Sequence, residues 1–314
     1  MDAEKMTAEE LKAAIARLKR ERNAVIMAHY YQRDEIQEIA DCIGDSLALA
    51  RKAAETDADM IVMCGVHFMG ETAAILCPDK KVVVPDPEAG CSLADSCDAS
   101  EFARFVAEHP DHTVVSYVNT SAAVKALTDI VVTSGNARRI IESLPADEKI
   151  IFGPDRNLGG YINSVTGREM LLWPGACHVH DRFSIEKIVA MREAHPGAKV
   201  LVHPECRRPL QLIADKVGST AALLDYARAS EAQDFIVVTE SGILFEMRRS
   251  CPEKNFMAAP AEDAECQCNE CEFMKLNTLA KVYRALRDGG PVITVPADVA
   301  ERALRPIRRM LELS

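Results

Sequence analysis

Short apolar runs rich in β-branched residues recur along this chain, and each stands ahead of a stretch with helical spacing. "AVIMA" from Ala24, "TVVS" from Thr113 and "KVLV" from Lys199 have the character of strands buried on both faces of a parallel sheet. A second run follows each of them ("DMIVMCG", "KIIFG", "DFIVVT"), and then a third ("KVVVPD", "EMLLWP", "NFMAAP"). Stretches such as "TAAIL" and "GILFEMRRS" between the runs read as helices, and helices ending in "AEHPD" and "EAHPG" lead into the second and third copies. Strand alternating with helix predicts an α/β fold with parallel sheets covered on both faces, a three-layer αβα sandwich in each copy.

The copies align without gaps. "HYYQRDEIQEIADCIGDSLALARKA" from His29, "YVNTSAAVKALTDIVVTSGNARRII" from Tyr117 and "HPECRRPLQLIADKVGSTAALLDYA" from His203 are offset by 88 and 86 residues. In that register Asp41, Asp129 and Asp215 coincide, as do the apolar positions Ile36, Val124 and Leu210, and the hydroxyls of Ser46, Ser134 and Thr220. Agreement at polar loop positions favours true threefold repetition over the loose self-similarity of any α/β chain. The expected domains are 1–97, 98–183 and 184–271, followed by a segment, 272–314, that closes the third copy or packs on the first.

Composition narrows the function. A net charge of −11 offers no basic face to displace counterions from nucleic-acid phosphates, so no nucleic-acid partner is expected. No run approaches the ~20 apolar residues that span a bilayer. The first 23 residues read as a charged amphipathic helix with no apolar signal region, so the expected location is cytoplasmic. Reducing conditions there, and an odd total of 11 cysteines, make a disulfide framework a poor explanation and a metal site a better one. Cys42, Cys64 and Cys77 lie within apolar runs and read as core.

Three kinds of loop recur at the strand C-termini, where parallel α/β sheets bind ligands. After the first strand come His29-Tyr30-Tyr31, Tyr117-Val118-Asn119 and His203-Pro204-Glu205, titratable or hydrogen-bonding groups suited to a polar substrate. Ser46, Ser134 and Thr220 precede helices. They are expected to be N-caps, whose exposed N–H groups would hold phosphate or carboxylate. After the third strand, "GCSLADSC" supplies Cys91, "WPGACHVH" supplies Cys177, and "AECQCNEC" supplies a group at 266, 268 and 271. One thiolate per copy would make a tripod suited to a [4Fe–4S] cluster with one iron lacking a protein ligand, an open Lewis acid. A local zinc site from Cys251, Cys266, Cys268 and Cys271 is the alternative, although C-x-C-x₂-C is not a usual zinc-ribbon spacing.

The motifs "AHYYQ", "GDSL", "GCSLADSC", "SYVNT", "TSGNA", "WPGACHVH", "HPEC", "GST" and "CEFM", in that order, resemble those of the quinolinate synthase family over nearly the whole chain. The resemblance implies three pseudosymmetric αβα domains around a central active-site cavity. It implies condensation of iminoaspartate with dihydroxyacetone phosphate to quinolinate, phosphate and water in de novo NAD synthesis. Supply of iminoaspartate would be coupled to an L-aspartate oxidase. The cluster ligands it implies are Cys91, Cys177 and Cys271, the last because the family's ligand directly precedes the "xxM" element. The implied substrate contacts are His29, Tyr31, Ser46, Tyr117, Asn119, Ser134, His203, Glu205 and Thr220, with proton transfer among Glu205, Tyr31, Tyr117, His29 and His203. Some members carry C-x₂-C-x₂-C at this end. Here Cys266 makes the first gap one residue shorter, so no redox pairing of the two upstream cysteines is implied. Cys97 and Cys206, although near site loops, read as bystanders.

Overall fold

A computed structural model describes residues 3–262 and 269–314. Among the described residues, twelve strands form three four-stranded sheets. In the first, β1 (Ala24–His29), β2 (Cys42–Gly44), β3 (Met60–Cys64) and β4 (Lys81–Val83) lie in the order β2-β1-β3-β4. In the second, β5 (Thr113–Tyr117), β6 (Ile130–Val132), β7 (Ile150–Gly153) and β8 (Leu171–Leu172) lie in the order β6-β5-β7-β8. In the third, β9 (Lys199–Val202), β10 (Lys216–Val217), β11 (Asp234–Val238) and β12 (Asn255–Ala258) lie in the order β10-β9-β11-β12. The pairings are parallel, and each central pair keeps the same register: Ala28 opposite Cys64, Ser116 opposite Gly153, Val202 opposite Val238. The fold is α/β with three parallel sheets, as the alternating pattern requires.

The strands that the apolar runs predict are all present. The edge strands β2, β6 and β10 are additional, and at two or three residues they are too short to show any periodicity. Asp41 and Asp215, aligned by the repeats, do the same work. Each carboxylate accepts from the backbone of its central strand, Ile26 N at 2.9 Å and Val200 N at 2.9 Å, and each is paired with a lysine, Lys19 or Lys199. Gly44 and Gly218 also correspond. A Cβ at Gly44 would come 2.8 Å from that of Ala48, and one at Gly218 would come 3.0 Å from that of Ala222. Both glycines therefore let the next helix start close against the strand.

By contact the chain forms two compact units, Met1–Asp95 with Val118–Val131 and Glu272–Leu313, and Ser96–Tyr117 with Val132–Cys271 and Ser314. In the first, Ile26, Val62 and Cys64 of the sheet pack with Leu11, Ile15 and Leu18 of the N-terminal helix Ala8–Glu21 and with Val282 and Leu286 of the helix Leu279–Asp288. A capping box fixes where the N-terminal helix begins: Glu10 N donates to Thr7 Oγ1, and Thr7 N donates back to Glu10 Oε2. In the second unit, Val200, Val202, Ile236 and Val238 form a core with Phe183, Ile188 and Leu210. Each such fully buried aliphatic side chain contributes ~1.5–3 kcal/mol relative to an exposed one. Among the described residues no helix is long and apolar enough to cross a membrane.

Candidate active site

The three hydroxyls expected to cap helices do not do so. Asp45 caps the helix Ser46–Glu55, accepting from Ala48 N at 3.0 Å, and Ser219 caps Thr220–Ala229, accepting from Ala222 N at 3.3 Å. Ser46 and Thr220 are thus the first helical residues. Ser134 lies in a turn before the helix Ala137–Ser143, whose N-cap is Asn136. At Ser46 and Thr220 the residue directly before supplies the cap oxygen, whereas the helix after Ser134 starts from Asn136 without a side-chain cap.

The repeat geometry singles out one cysteine per copy. Two residues beyond the registered positions Cys64, Gly153 and Val238 stand Val66, Asp155 and Glu240. The next backbone N–H in each copy donates to a carbonyl in the loop after the third strand: His67 to Ala89 at 2.7 Å, Arg156 to Gly175 at 2.8 Å, Ser241 to Asn269 at 3.2 Å. Two residues past those carbonyls stand Cys91, Cys177 and Cys271, all half-buried. Cys266 and Cys268 lie outside the described residues. No disulfide joins the cysteines that are described. Cys91 belongs to the first compact unit, and Cys177 and Cys271 belong to the second. Cys97 and Cys206 are 2% and 0% exposed. Burial pushes the Cys97 thiol up to about 12 and the Cys206 thiol well above its usual range.

In the second unit a buried network surrounds Glu205. Tyr117, the last residue of β5, donates its hydroxyl to Glu205 Oε1 at 2.5 Å. His180 Nδ1 lies 3.1 Å from Glu205 Oε2 and 3.3 Å from Cys177 Sγ, while its Nε2 lies 2.9 Å from Thr239 Oγ1. The His180 and His203 rings stack with centroids 4.6 Å apart, and Glu205 N donates to His203 Nδ1 at 3.4 Å. Burial alone would raise the Glu205 carboxyl. The two imidazoles and the Tyr117 hydroxyl outweigh it and bring the group down to about 2. Glu205 is thus held as an anion. Asp155, buried beside that anion, is pushed the other way. Backbone contacts fix the Glu205 loop: Asn157 Nδ2 donates to Glu205 O at 3.0 Å, and Gln211 Nε2 donates to Pro204 O and Cys206 O. Cys177, His180 and Glu205 also present ligand atoms within 4.8 Å of one another, a compact soft–hard donor set.

In the first unit the matched loop is built alike. Tyr31 N donates to His29 Nδ1 at 3.1 Å, their rings meet edge to face at 4.5 Å, and Gln37 Nε2 donates to Tyr30 O and Gln32 O. Lys275 Nζ donates to Tyr31 O at 2.8 Å. The Oδ1 atom of Asn119 is buried without a hydrogen-bond partner among the described residues, as is Gln32 Oε1. Lys125 is fully buried, donating to Thr120 O and lying 5.4 Å over the Phe68 ring. Burial lowers its amine to about 8 against the opposing pull of Glu71 and Cys91.

Sequence reasoning missed His180, Asp155, Glu240 and Lys125. The one signal for the two acids was their common position two residues past the second strand.

A parallel α/β scaffold here carries a buried acid–imidazole–phenol network beside a cysteine, a donor group that could hold a metal ion, as an enzyme would. The chain belongs to the quinolinate synthetase A (NadA) family, whose pattern it matches over residues 13–312. It is 55% identical over 305 residues to the quinolinate synthase of Thermosynechococcus vestitus, covering 97% of this chain and 96% of that protein. It is 55% identical over 306 residues to that of Microcystis aeruginosa, covering 98% and 96%, and 54% identical over 300 residues to that of Chloroherpeton thalassium, covering 96% and 93%.

Proposed function

We propose that the chain condenses iminoaspartate with dihydroxyacetone phosphate to give quinolinate, phosphate and water, in de novo NAD synthesis in the cytoplasm, with iminoaspartate supplied by an L-aspartate oxidase. Cys91, Cys177 and Cys271 would hold a [4Fe–4S] cluster, whose iron without a protein ligand supplies Lewis acidity toward a substrate hydroxyl or carboxylate. The observation that carries this reading is the Glu205 hub. One buried carboxylate engages a phenol and an imidazole, and the same imidazole nitrogen lies 3.3 Å from Cys177 Sγ.

The protein's own groups divide the remaining work. Ser46, Ser134 and Thr220 bind and orient the anionic groups of the substrates, and the Asn119 carbonyl oxygen accepts from a substrate hydroxyl or N–H. Glu205, held low at about 2, is a poor resting proton store. Its role is to anchor the Tyr117 and His180 protons and to accept the Tyr117 proton transiently when Tyr117 takes one from substrate. His29 and Tyr31 form the matching pair in the first unit, and His203 backs Glu205 in the second.

The test is anaerobic. Iron and sulfide are quantified, and quinolinate formation from both substrates is measured, for wild type and for Cys91→Ser, Cys177→Ser and Cys271→Ser. Four irons and four sulfides in wild type, impaired cluster loading in each variant and quinolinate as product are expected. A wild type that holds zinc and no sulfide, or makes no quinolinate, refutes the proposal.

A further inference from the structure

Two buried carboxylates in the second unit hold the loops that carry its two candidate cluster ligands. Asp155 is 0% exposed and follows β7 by two residues. Its Oδ2 accepts from Cys177 N at 3.1 Å and its Oδ1 from Leu158 N at 2.7 Å. Glu240 is 0% exposed and follows β11 by two residues. Its Oε1 accepts from Cys271 N at 3.1 Å and its Oε2 from Gly242 N at 2.7 Å. The two acids occupy one register position in the second and third copies, although they differ in length. In the first copy that position is Val66, which has no side-chain acceptor.

In both copies one oxygen ties down the turn leaving the second strand. The other oxygen ties down the amide of the cysteine itself. We infer that Asp155 and Glu240 are positioning residues, presetting the backbone of Cys177 and Cys271 so that both sulfurs are in place before a cluster binds. Outer groups that orient metal ligands commonly change metal affinity 10–100-fold when removed. A clamp on a ligand's own amide acts by limiting how far its sulfur can swing away as a bond to iron opens. Each acid ties a turn and the amide of a candidate ligand together through its two oxygens, so retention of the metal is the property it sets.

The inference rests on the reading of Cys177 and Cys271 as cluster ligands, and the experiment separates the two. Wild type, Asp155→Asn, Asp155→Ala, Glu240→Gln and Glu240→Ala are reconstituted anaerobically as full chains, and the rate of iron loss to a ferrous chelator is followed. Asp215→Asn is the control, because it weakens the same kind of carboxylate-to-strand bond at the start of β9, on Val200 N. The Ala variants should lose iron roughly tenfold faster than wild type. Gln and Asn, which keep one acceptor oxygen, should restore part of the retention, while Asp215→Asn should match wild type and KM for both substrates should stay within about twofold. Should the Ala variants fail to fold, the Asn and Gln variants decide: iron loss at the wild-type rate in both overturns the inference. Equal acceleration in Asp215→Asn also overturns it, since a general loosening would then explain the effect. A wild type that takes up no iron overturns the ligand reading itself, and the inference with it.

Discussion

Tyr117 Oη lies 2.5 Å from Glu205 Oε1, joining the end of β5 to the loop after β9 through two side chains that are 5% and 3% exposed. The phenol donates to a carboxylate that the two imidazoles already hold as an anion, so the bond is charge-assisted and its proton has a short path in either direction. Removing either partner should therefore damage proton transfer without unseating the cysteines. Tyr117→Phe keeps the ring and loses the donor; Glu205→Gln keeps the shape and loses the charge. Each should lower kcat by about 10²–10⁴-fold while the visible absorbance of the reconstituted cluster stays at the wild-type level. Turnover within a few-fold of wild type in Glu205→Gln would remove Glu205 from the reaction.

How far this site could be foreseen follows from what each residue depends on. The 88- and 86-residue register is a property of sequence, so Asp41 and Asp215 could be matched by eye, and the structure gives them one shared role. The long buried strands were equally legible, because β-branched runs need no neighbours to be recognised. Edge strands such as Lys216–Val217 exist only through pairing with β9 and have no local signature. Capping turned on a one-residue offset: Asp45 and Ser219 each stand directly before the hydroxyl that the alignment favoured. Asp155, Glu240 and Lys125 were invisible for a different reason. One acid among 48, or one lysine on a helical stretch, reads as solvated surface until packing encloses it.

Lys125 gives a pH-dependent prediction with a definite sign. Burial lowers its amine from 10.5 to about 8 in the folded chain, so the unfolded state binds more protons between those values. Stability contributed by this group is fully present above pH 10.5 and is lost as pH falls through 8. Relative to Lys125→Met, the wild-type apoprotein should thus gain up to roughly 3 kcal/mol between pH 8 and 10.5. Groups common to both proteins cancel in that difference, and the lost donor to Thr120 O shifts it by a constant. Urea melts at pH 7.5, 9 and 10.5 measure it, and parallel curves would show that the amine is not enclosed as described.

The loop that carries Cys177 has no room for a side chain at Gly175. A Cβ there would stand 2.6 Å from the Pro154 carbonyl oxygen and against Ser96 Oγ, and Gly175 O already accepts from Arg156 N at 2.8 Å. The obstruction is backbone, which cannot rotate away, so Gly175→Ala must shift the loop itself. Overpacking of this kind costs about 1–3 kcal/mol, and here it also moves the cysteine two residues on. Gly160 is the contrasting case. It sits within the helix Arg156–Thr166, and nothing lies within 4 Å of the place a methyl group would take, so Gly160→Ala should add about 0.5–1 kcal/mol by restricting the unfolded chain. Thermal melts of the two variants should move in opposite directions, and only Gly175→Ala should hold less iron after reconstitution. If Gly175→Ala melts and binds iron as wild type does, the close approach of the Cys177 loop to Pro154 is not what sets that cysteine's position.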